Sequence, residues 1–224
     1  MAPRASVVEV ETPTTFAEAL GAQEELLRDG LPAVHVAVVR GTALSVGVGV
    51  PETAPYLRRA GEQGVPTVRR SSGGTGILHL DGDLVWAIVL PRSDPRVGRD
   101  FVQGYGRFGA GLVQALAVHY VSAAWVPAPG LSTEYCPLSS RGHVLEVGGR
   151  VMGAAAQHLT GTALLHHGTL SVSTDRELVR RLFAFPDPSI AERLVGLAER
   201  GIDLPPKRLA DAVARELADD LGFG

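Results

Sequence analysis

Three short segments of this sequence concentrate residues able to do chemistry. The first, Arg69-Arg70-Ser71-Ser72-Gly73-Gly74-Thr75-Gly76, places three glycines within four residues behind two arginines. Without Cβ atoms the backbone can approach a ligand closely, and free N–H groups in such a turn hold anions. The segment lacks the lysine and following hydroxyl residue of a P-loop. A strand rather than a helix follows it, which excludes a dinucleotide fingerprint. The rival reading is an ordinary loop. The second segment is Glu134-Tyr135-Cys136-Pro137, with Arg141 and Arg150 downstream. Positive charge lowers a thiol pKa and favours a reactive thiolate; a lone cysteine also reads as a small buried hydrophobe. The third is Gly149-Arg150-Val151-Met152-Gly153, followed by His166-His167-Gly168-Thr169. Adjacent residues of a strand point to opposite faces, so the two histidines cannot jointly hold one metal. His35, His119 and His158 are scattered and receive no role.

Composition narrows what these segments could serve. The chain has 224 residues, a net charge of −3, one cysteine (Cys136), and one lysine (Lys207) among 21 basic residues. One cysteine excludes a disulfide framework and any multi-cysteine zinc or iron–sulfur site, and no metal site is expected. The slight acidity argues against nucleic acid as a partner. No apolar run is long enough to cross a bilayer, and the N-terminus lacks the pattern of a signal peptide, so no membrane role and a cytoplasmic location are expected.

The elements that must position these residues read as follows. Residues 15–29 form an amphipathic helix capped by Thr14 or Thr15 and stopped by Gly30. Residues 33–40 and 42–48 suggest a hairpin about Gly41. A helix is expected over 54–63, then a short extended piece at Val65–Val68 suited to a sheet edge. ILHLDGDLVWAIVLP reads as two strands about an Asp81-Gly82-Asp83 hairpin turn. Residues 97–121 predict one long helix, 122–126 a strand, and 127–135 a loop that leaves Cys136 at a loop–strand junction. Strands at 143–147 and 150–156 flank Gly148-Gly149, another covers 163–173, and helices cover 174–183, 188–200 and 206–221. Nothing divides the chain, and a single mixed α/β domain is expected.

In this order the segments resemble the lipoate–protein ligase and octanoyl/lipoyl transferase family. RRSSGGTGILHLDGDL resembles its double-arginine, glycine-rich acyl-binding segment with the hairpin that follows. EVGGRVMGAAAQ is similar to its glycine–basic–lysine–glycine strand pair, LLHHGTLSV to its histidine–glycine strand, and RLVGLAERG to its C-terminal helical stretch. The resemblance spans about residues 15–222. It implies an α+β fold related to biotin ligases and class II aminoacyl-tRNA synthetases, a mixed, mostly antiparallel sheet flanked by helices, with residues 1–224 as one catalytic domain and the helical stretch 174–222 part of it. It also implies transfer of an octanoyl or lipoyl group to a lysine of a lipoyl-carrier domain. Such carriers belong to 2-oxoacid dehydrogenases (the E2 component) or are the glycine-cleavage H protein. The acyl site would comprise Arg70, Ser72, Gly73, Gly74, Thr75, Gly76, His79, Gly153, Ala154 and His167.

Departures from the family pattern choose among its branches. Ligases carry a third glycine at the place of Thr75 and an aspartate at that of Leu80. Tyr135-Cys136-Pro137 resembles the cysteine transferases, which work through a thioester and need no cofactor, although Cys136 falls one residue nearer the basic strand than their nucleophile. Arg150 stands where both branches carry a catalytic lysine. A guanidinium stabilises a thiolate or oxyanion but accepts no proton, so His79, His143 and His167 are the candidate bases, with His79 and His143 ranked first. Three functions follow: a thioester transferase using Cys136, Arg150, His79 and His143, with backbone N–H groups near Gly153 as oxyanion donors; a ligase using ATP and Mg2+ on lipoate or octanoate; and a non-catalytic relative that binds the acyl group or its carrier.

Overall fold

The computed structural model describes residues 7–98, 101–139, 142–202 and 204–223, with backbone alone for residues 12 and 101–103. The two most apolar stretches, AVHVAVV and LVWAIVLP, become β2 (Ala33–Val39) and β6 (Leu84–Pro91), buried almost throughout. Strands this apolar on both sides need both sheet faces covered. They lie inside a seven-stranded sheet in the order β1-β2-β6-β10-β9-β8-β7, completed by β1 (Val7–Thr14), β7 (Ala123–Pro127), β8 (His143–Val147), β9 (Arg150–Leu159) and β10 (Ala163–Leu170). β1 runs parallel to β2 and every other pair is antiparallel.

Alternation along β2 and β6 divides the two faces. Val34, Val36, Val38, Trp86 and Ile88 pack with Leu112 and Leu116 of α4 (Ala110–Ala117) and with Leu209, Val213 and Leu217 of α7 (Pro206–Leu221). On the opposite face Ala37, Val39 and Val85 meet Phe16 and Leu20 of α1 (Phe16–Asp29). Thr15 and Glu18 close a capping box at the start of α1, and Gly30 ends it in the left-handed conformation.

A second sheet of three strands, in the order β4-β3-β5, comprises β4 (Thr67–Arg69), β3 (Ala43–Val46) and β5 (Gly76–His79). Its core joins Leu44, Val46 and Leu78 to Tyr56 of α2 (Pro55–Glu62), Leu138 of α5 (Cys136–Ser139) and Phe183 of α6 (Arg176–Phe183).

Several expectations are corrected here. The two hairpins exchange partners: β2 pairs β6 and β3 pairs β5, so neither Gly41 nor Asp81-Gly82 closes a hairpin. The two corners clasp each other instead, Gly41 N donating to Asp81 Oδ1 at 2.7 Å and Gly82 N to Val39 O at 2.8 Å. The helix expected over 97–121 is two, α3 (Phe101–Phe108) and α4, parted at Gly109. Trp125 Nε1 donates to Gly109 O at 2.8 Å and lies where a side chain at 109 would project. The 188–200 segment forms two short 3-10 turns, Pro188–Arg193 and Ala198–Arg200, rather than an α-helix. The strand expected over 163–173 stops at Leu170. Cys136 opens α5 and does not lie at a loop–strand junction. Arg141 lies outside the described residues.

Candidate active site

β4 and β5 flank β3, so the glycine-rich connection between them, residues 70–75, must cross the end of β3. It does so in close contact: a Cβ on Gly47 would lie 2.1 Å from Gly74 O. Arg70 N donates to Val46 O at 2.9 Å and Val48 N to Ser72 O at 3.0 Å, which fix the crossing. Gly74 takes φ +97°, a conformation costly for residues with a Cβ.

The Arg70 side chain runs back through this loop and is almost fully buried. Its Nη2 donates to Gly73 O at 2.9 Å and Thr75 O at 3.0 Å, and its Nη1 to Ser45 Oγ at 3.2 Å. Cys136 is brought to the same place because Gly76 N donates to Glu134 O at 3.2 Å, clipping the segment before α5 onto β5. A Cβ on Gly74 would meet Arg70 Nη2 at 2.7 Å and Cys136 Sγ at 2.8 Å, so cation and sulfur crowd one side of this glycine. Burial pulls the Arg70 pKa down while Cys136 and Tyr56 favour its charge. A guanidinium stays protonated against such a shift. Burial likewise pushes Tyr56 up to about 12, with Glu134 adding to the rise.

The histidines divide by environment. His79 stacks on Phe16 with ring centroids 3.9 Å apart, and its Nε2 lies 2.8 Å from Ser45 Oγ. His167 Nε2 lies 2.7 Å from Ser72 Oγ, and its Nδ1 lies 3.0 Å from Gln23 Oε1. Burial, then the Arg70 charge, lowers both pKa values to about 3, so both rings are neutral at pH 7 and weak as bases. His166 points to the other sheet face, among Trp86, Tyr105 and Phe108, as strand alternation requires. His143 opens β8, half-buried, with its ring stacked on Tyr105 at 5.9 Å.

Two cavities adjoin the loop. One of about 30 Å³, with a mostly apolar wall, is lined by Phe16, Ile77, Ala154, Ala155 and Ala156 and by the polar groups of Arg70, His79 and His167. The other, about 560 Å³, opens outward in front of Gly73, Gly74 and Thr75, between Tyr56, Pro51 and Glu134.

The structure therefore assembles Arg70, Ser72, Gly73, Gly74, Thr75, Gly76, His79, Ala154, His167 and Cys136 in one region. Gly153 lies inside the sheet, where a Cβ would meet Thr169 O at 2.5 Å, which gives this glycine a packing reason. Arg150, expected to stabilise charge at Cys136, makes its ion pair elsewhere: Nη1 lies 3.9 Å from Glu199 Oε2. Glu199 also binds Arg176, Thr174 and the Gly196 N–H. The cation beside the sulfur is Arg70. Gln23, Ser45, Tyr56 and Tyr105 escaped the sequence reading. Gln23 had a signal, a polar residue on the stripe Phe16, Ala19, Leu20, Gln23, Leu27 that α1 buries.

The Lipoyl protein ligase A/B catalytic domain profile matches residues 16–217. The chain belongs to this family. Octanoyltransferase LipM of Geobacillus kaustophilus (strain HTA426) is 27% identical over 149 residues, which make up 62% of this chain and 52% of that protein. The chain thus spans about half the length of this relative. A crystal structure of lipoate-protein ligase A bound with ATP superposes with a TM-score of 0.77 at 20% identity, covering 98% of this chain and 86% of that one. Biotin protein ligase from Aquifex aeolicus, in complex with biotin and ATP, gives 0.50 at 13% identity over 97% of this chain and 70% of its own. These likenesses bear out the expected fold, an α+β arrangement shared with the lipoate and biotin ligases.

Proposed function

We propose that this family member is an acyltransferase that carries an octanoyl or lipoyl group on Cys136 and delivers it to a lysine of a lipoyl-carrier domain, that of a 2-oxoacid dehydrogenase or of the glycine-cleavage H protein. The observation that carries this reading is the convergence of Cys136 Sγ and Arg70 Nη2 on one side of Gly74. An adjacent fixed cation stabilises the negative charge that develops on the sulfur as it attacks and as it leaves. In the first half-reaction Cys136 Sγ loses its proton and bonds to the carbonyl carbon of an acyl thioester, whose C–S bond breaks as the leaving sulfur takes up that proton. In the second, the carrier amine bonds to the same carbon, the Sγ–C bond breaks, and the amine proton ends on the Cys136 sulfur. The proton balance closes without a net base, which suits a site whose buried histidines, His79 and His167, are weak ones. His143, half-buried beside Tyr105, is the remaining candidate to relay that proton. The apolar cavity beside Arg70 is the proposed start of the acyl tunnel.

The ATP-dependent reading fits the site less well. The outward cleft in front of Gly73–Thr75 has Glu134, Thr53, Tyr56 and apolar groups on its wall, and among the described residues no basic side chain lines it. Arg69 is engaged by Glu52 and by the carbonyls of Gly47 and Val50. Glu134 is paired with Arg59 at 3.9 Å, so a polyphosphate would have to compete with this carboxylate for that cation. Residues 1–224, with the 174–222 stretch included, are proposed to act as one catalytic unit in the cytoplasm; among the described residues no helix is long and apolar enough to cross a membrane.

Incubation with an octanoylated carrier followed by mass spectrometry tests the reading. The wild type should gain the acyl mass and Cys136→Ser should not. Equal acylation of both would remove Cys136 from the reaction.

A further inference from the structure

A line of polar contacts leaves the site and crosses the main sheet to its edge. Ser72 Oγ lies 2.7 Å from His167 Nε2, His167 Nδ1 3.0 Å from Gln23 Oε1, Gln23 Nε2 3.4 Å from His35 Nδ1, and His35 Nε2 3.5 Å from Glu11 Oε2. The five residues come from the glycine-rich loop, β10, α1, β2 and β1. Ser72, His167, Gln23 and His35 are each more than nine-tenths buried. Burying so many polar groups costs free energy unless they satisfy one another. His35 Nε2 and Glu11 Oε2 face each other in this 3.5 Å ion-pair contact, and neither has a partner at full hydrogen-bond geometry among the described residues.

The direction of every hydrogen in this line follows from its outer end. A carboxylate only accepts, so His35 carries its proton on Nε2, toward Glu11. Its Nδ1 is then a lone pair, which requires the NH2 of Gln23. That turns the Gln23 oxygen toward His167 and places the His167 proton on Nδ1. The free lone pair on His167 Nε2 must then accept from the Ser72 hydroxyl. With the Gln23 amide reversed, His35 would turn a lone pair toward the Glu11 carboxylate and two acceptors would face each other.

We infer that Glu11, His35 and Gln23 are positioning residues which fix the tautomer of His167 and so latch Ser72, with the glycine-rich loop it belongs to, onto β10. The latch rests on the transferase reading for its catalytic consequence, because that loop carries the Gly74 surface against which Cys136 and Arg70 meet. Its hydrogen-bond polarity does not depend on that reading. The neutral state imposed on His167 by burial and Arg70 agrees with it.

Nitrogen-15 histidine NMR of the full chain, with Glu11→Gln and Gln23→Leu beside the wild type, tests the latch. The wild type should show His35 protonated on Nε2 and His167 on Nδ1. Glu11→Gln, on the half-exposed edge strand, ends in a group that both donates and accepts, so both histidines should populate both tautomers. Gln23→Leu should release His167 alone and leave His35 on Nε2. Both variants should slow acylation of Cys136 at saturating donor by about tenfold or more with little change in KM. A wild-type His167 protonated on Nε2, or Glu11→Gln spectra identical to wild type, overturns the latch. Tautomer shifts without any loss of rate reduce it to a structural feature and overturn the positioning role. If wild-type Cys136 takes no acyl group, the transferase reading fails by itself; the latch is then judged by the tautomers and by faster amide exchange at Ser72–Gly74 in Gln23→Leu.

Discussion

Two arginines compete for the part of the cation at this site, and their surroundings separate them. Arg70 is buried, is held by the carbonyls of Gly73 and Thr75, and faces the sulfur. Arg150 is about one-third exposed and pairs with Glu199. An electrostatic donor fixed in a site from which water is excluded contributes far more than an exposed one. Arg70→Met should therefore slow acylation of Cys136 by about a hundredfold or more. Arg150→Ala should change stability by less than about 1 kcal/mol and the acylation rate far less than Arg70→Met does. Timed mass spectrometry of the thioester with both variants measures this; the reverse order of effects would return the role to Arg150. Sequence position alone favoured Arg150, because it occupies the place of the family lysine. Arg70 becomes the nearer cation only after the chain crosses β3 and doubles back, which no local pattern records.

Elements were more legible than pairings. The threonine cap of α1, the glycine turn between β8 and β9, and the proline opening α7 all follow from local chemistry, and the structure shows each where the residues put it, with Thr15 as the cap. Gly41 and Asp81-Gly82 are genuine turn residues, yet each corner leads the chain from one sheet to the other and closes no hairpin. Length separates the pairs: the longer apolar runs of β2 and β6 pair side by side within the seven-stranded sheet, and the four-residue β3 and β5, buried as well, pair in the second sheet. That exchange carries the glycine-rich loop over the end of β3, where Gly47 and Gly74 touch backbone to backbone. Gly47→Ala should cost about 2–3 kcal/mol, since the opposing atom is a carbonyl with no rotamer to retreat into. Urea unfolding of the variant measures the loss, and an unchanged midpoint would mean that the loop yields more readily than this contact implies.

For the molecule as a whole, acid is the direction of weakness. His79, His166 and His167 have folded pKa values near 3 against an ordinary 6.5. A depressed folded value means that the stability they contribute is complete above pH 6.5 and is lost as pH falls toward 3. Asp83, buried beneath the N–H groups of Leu80 and Val172, is pushed up to about 7, so its contribution is complete below pH 3.8 and is lost as pH rises toward 7. Between about pH 6.5 and pH 4 the slopes oppose, three groups against one, and the unfolding midpoint should fall on acidification. His166 offers the cleanest check, because neither ring nitrogen has a hydrogen-bond partner among the described residues and three aromatic side chains surround it. His166→Phe should raise stability at pH 7 by about 1 kcal/mol and flatten the acid slope. A variant less stable at both pH values would show that the imidazole holds a partner.

The clasp between the Gly41 and Asp81-Gly82 corners has a further consequence for motion. Residues 40–83 leave the main sheet and return to the same spot, so the three-stranded sheet and its loop form an excursion with adjoining ends. Such a unit can open sub-globally while β2 and β6 remain paired beneath it. Amides of β3 and β5 should then exchange with solvent at a lower free energy than those of β2 and β6. For the proposed acyltransferase, the part of the fold that holds Arg70 would in this way open to a long acyl chain without melting the sheet that supports it.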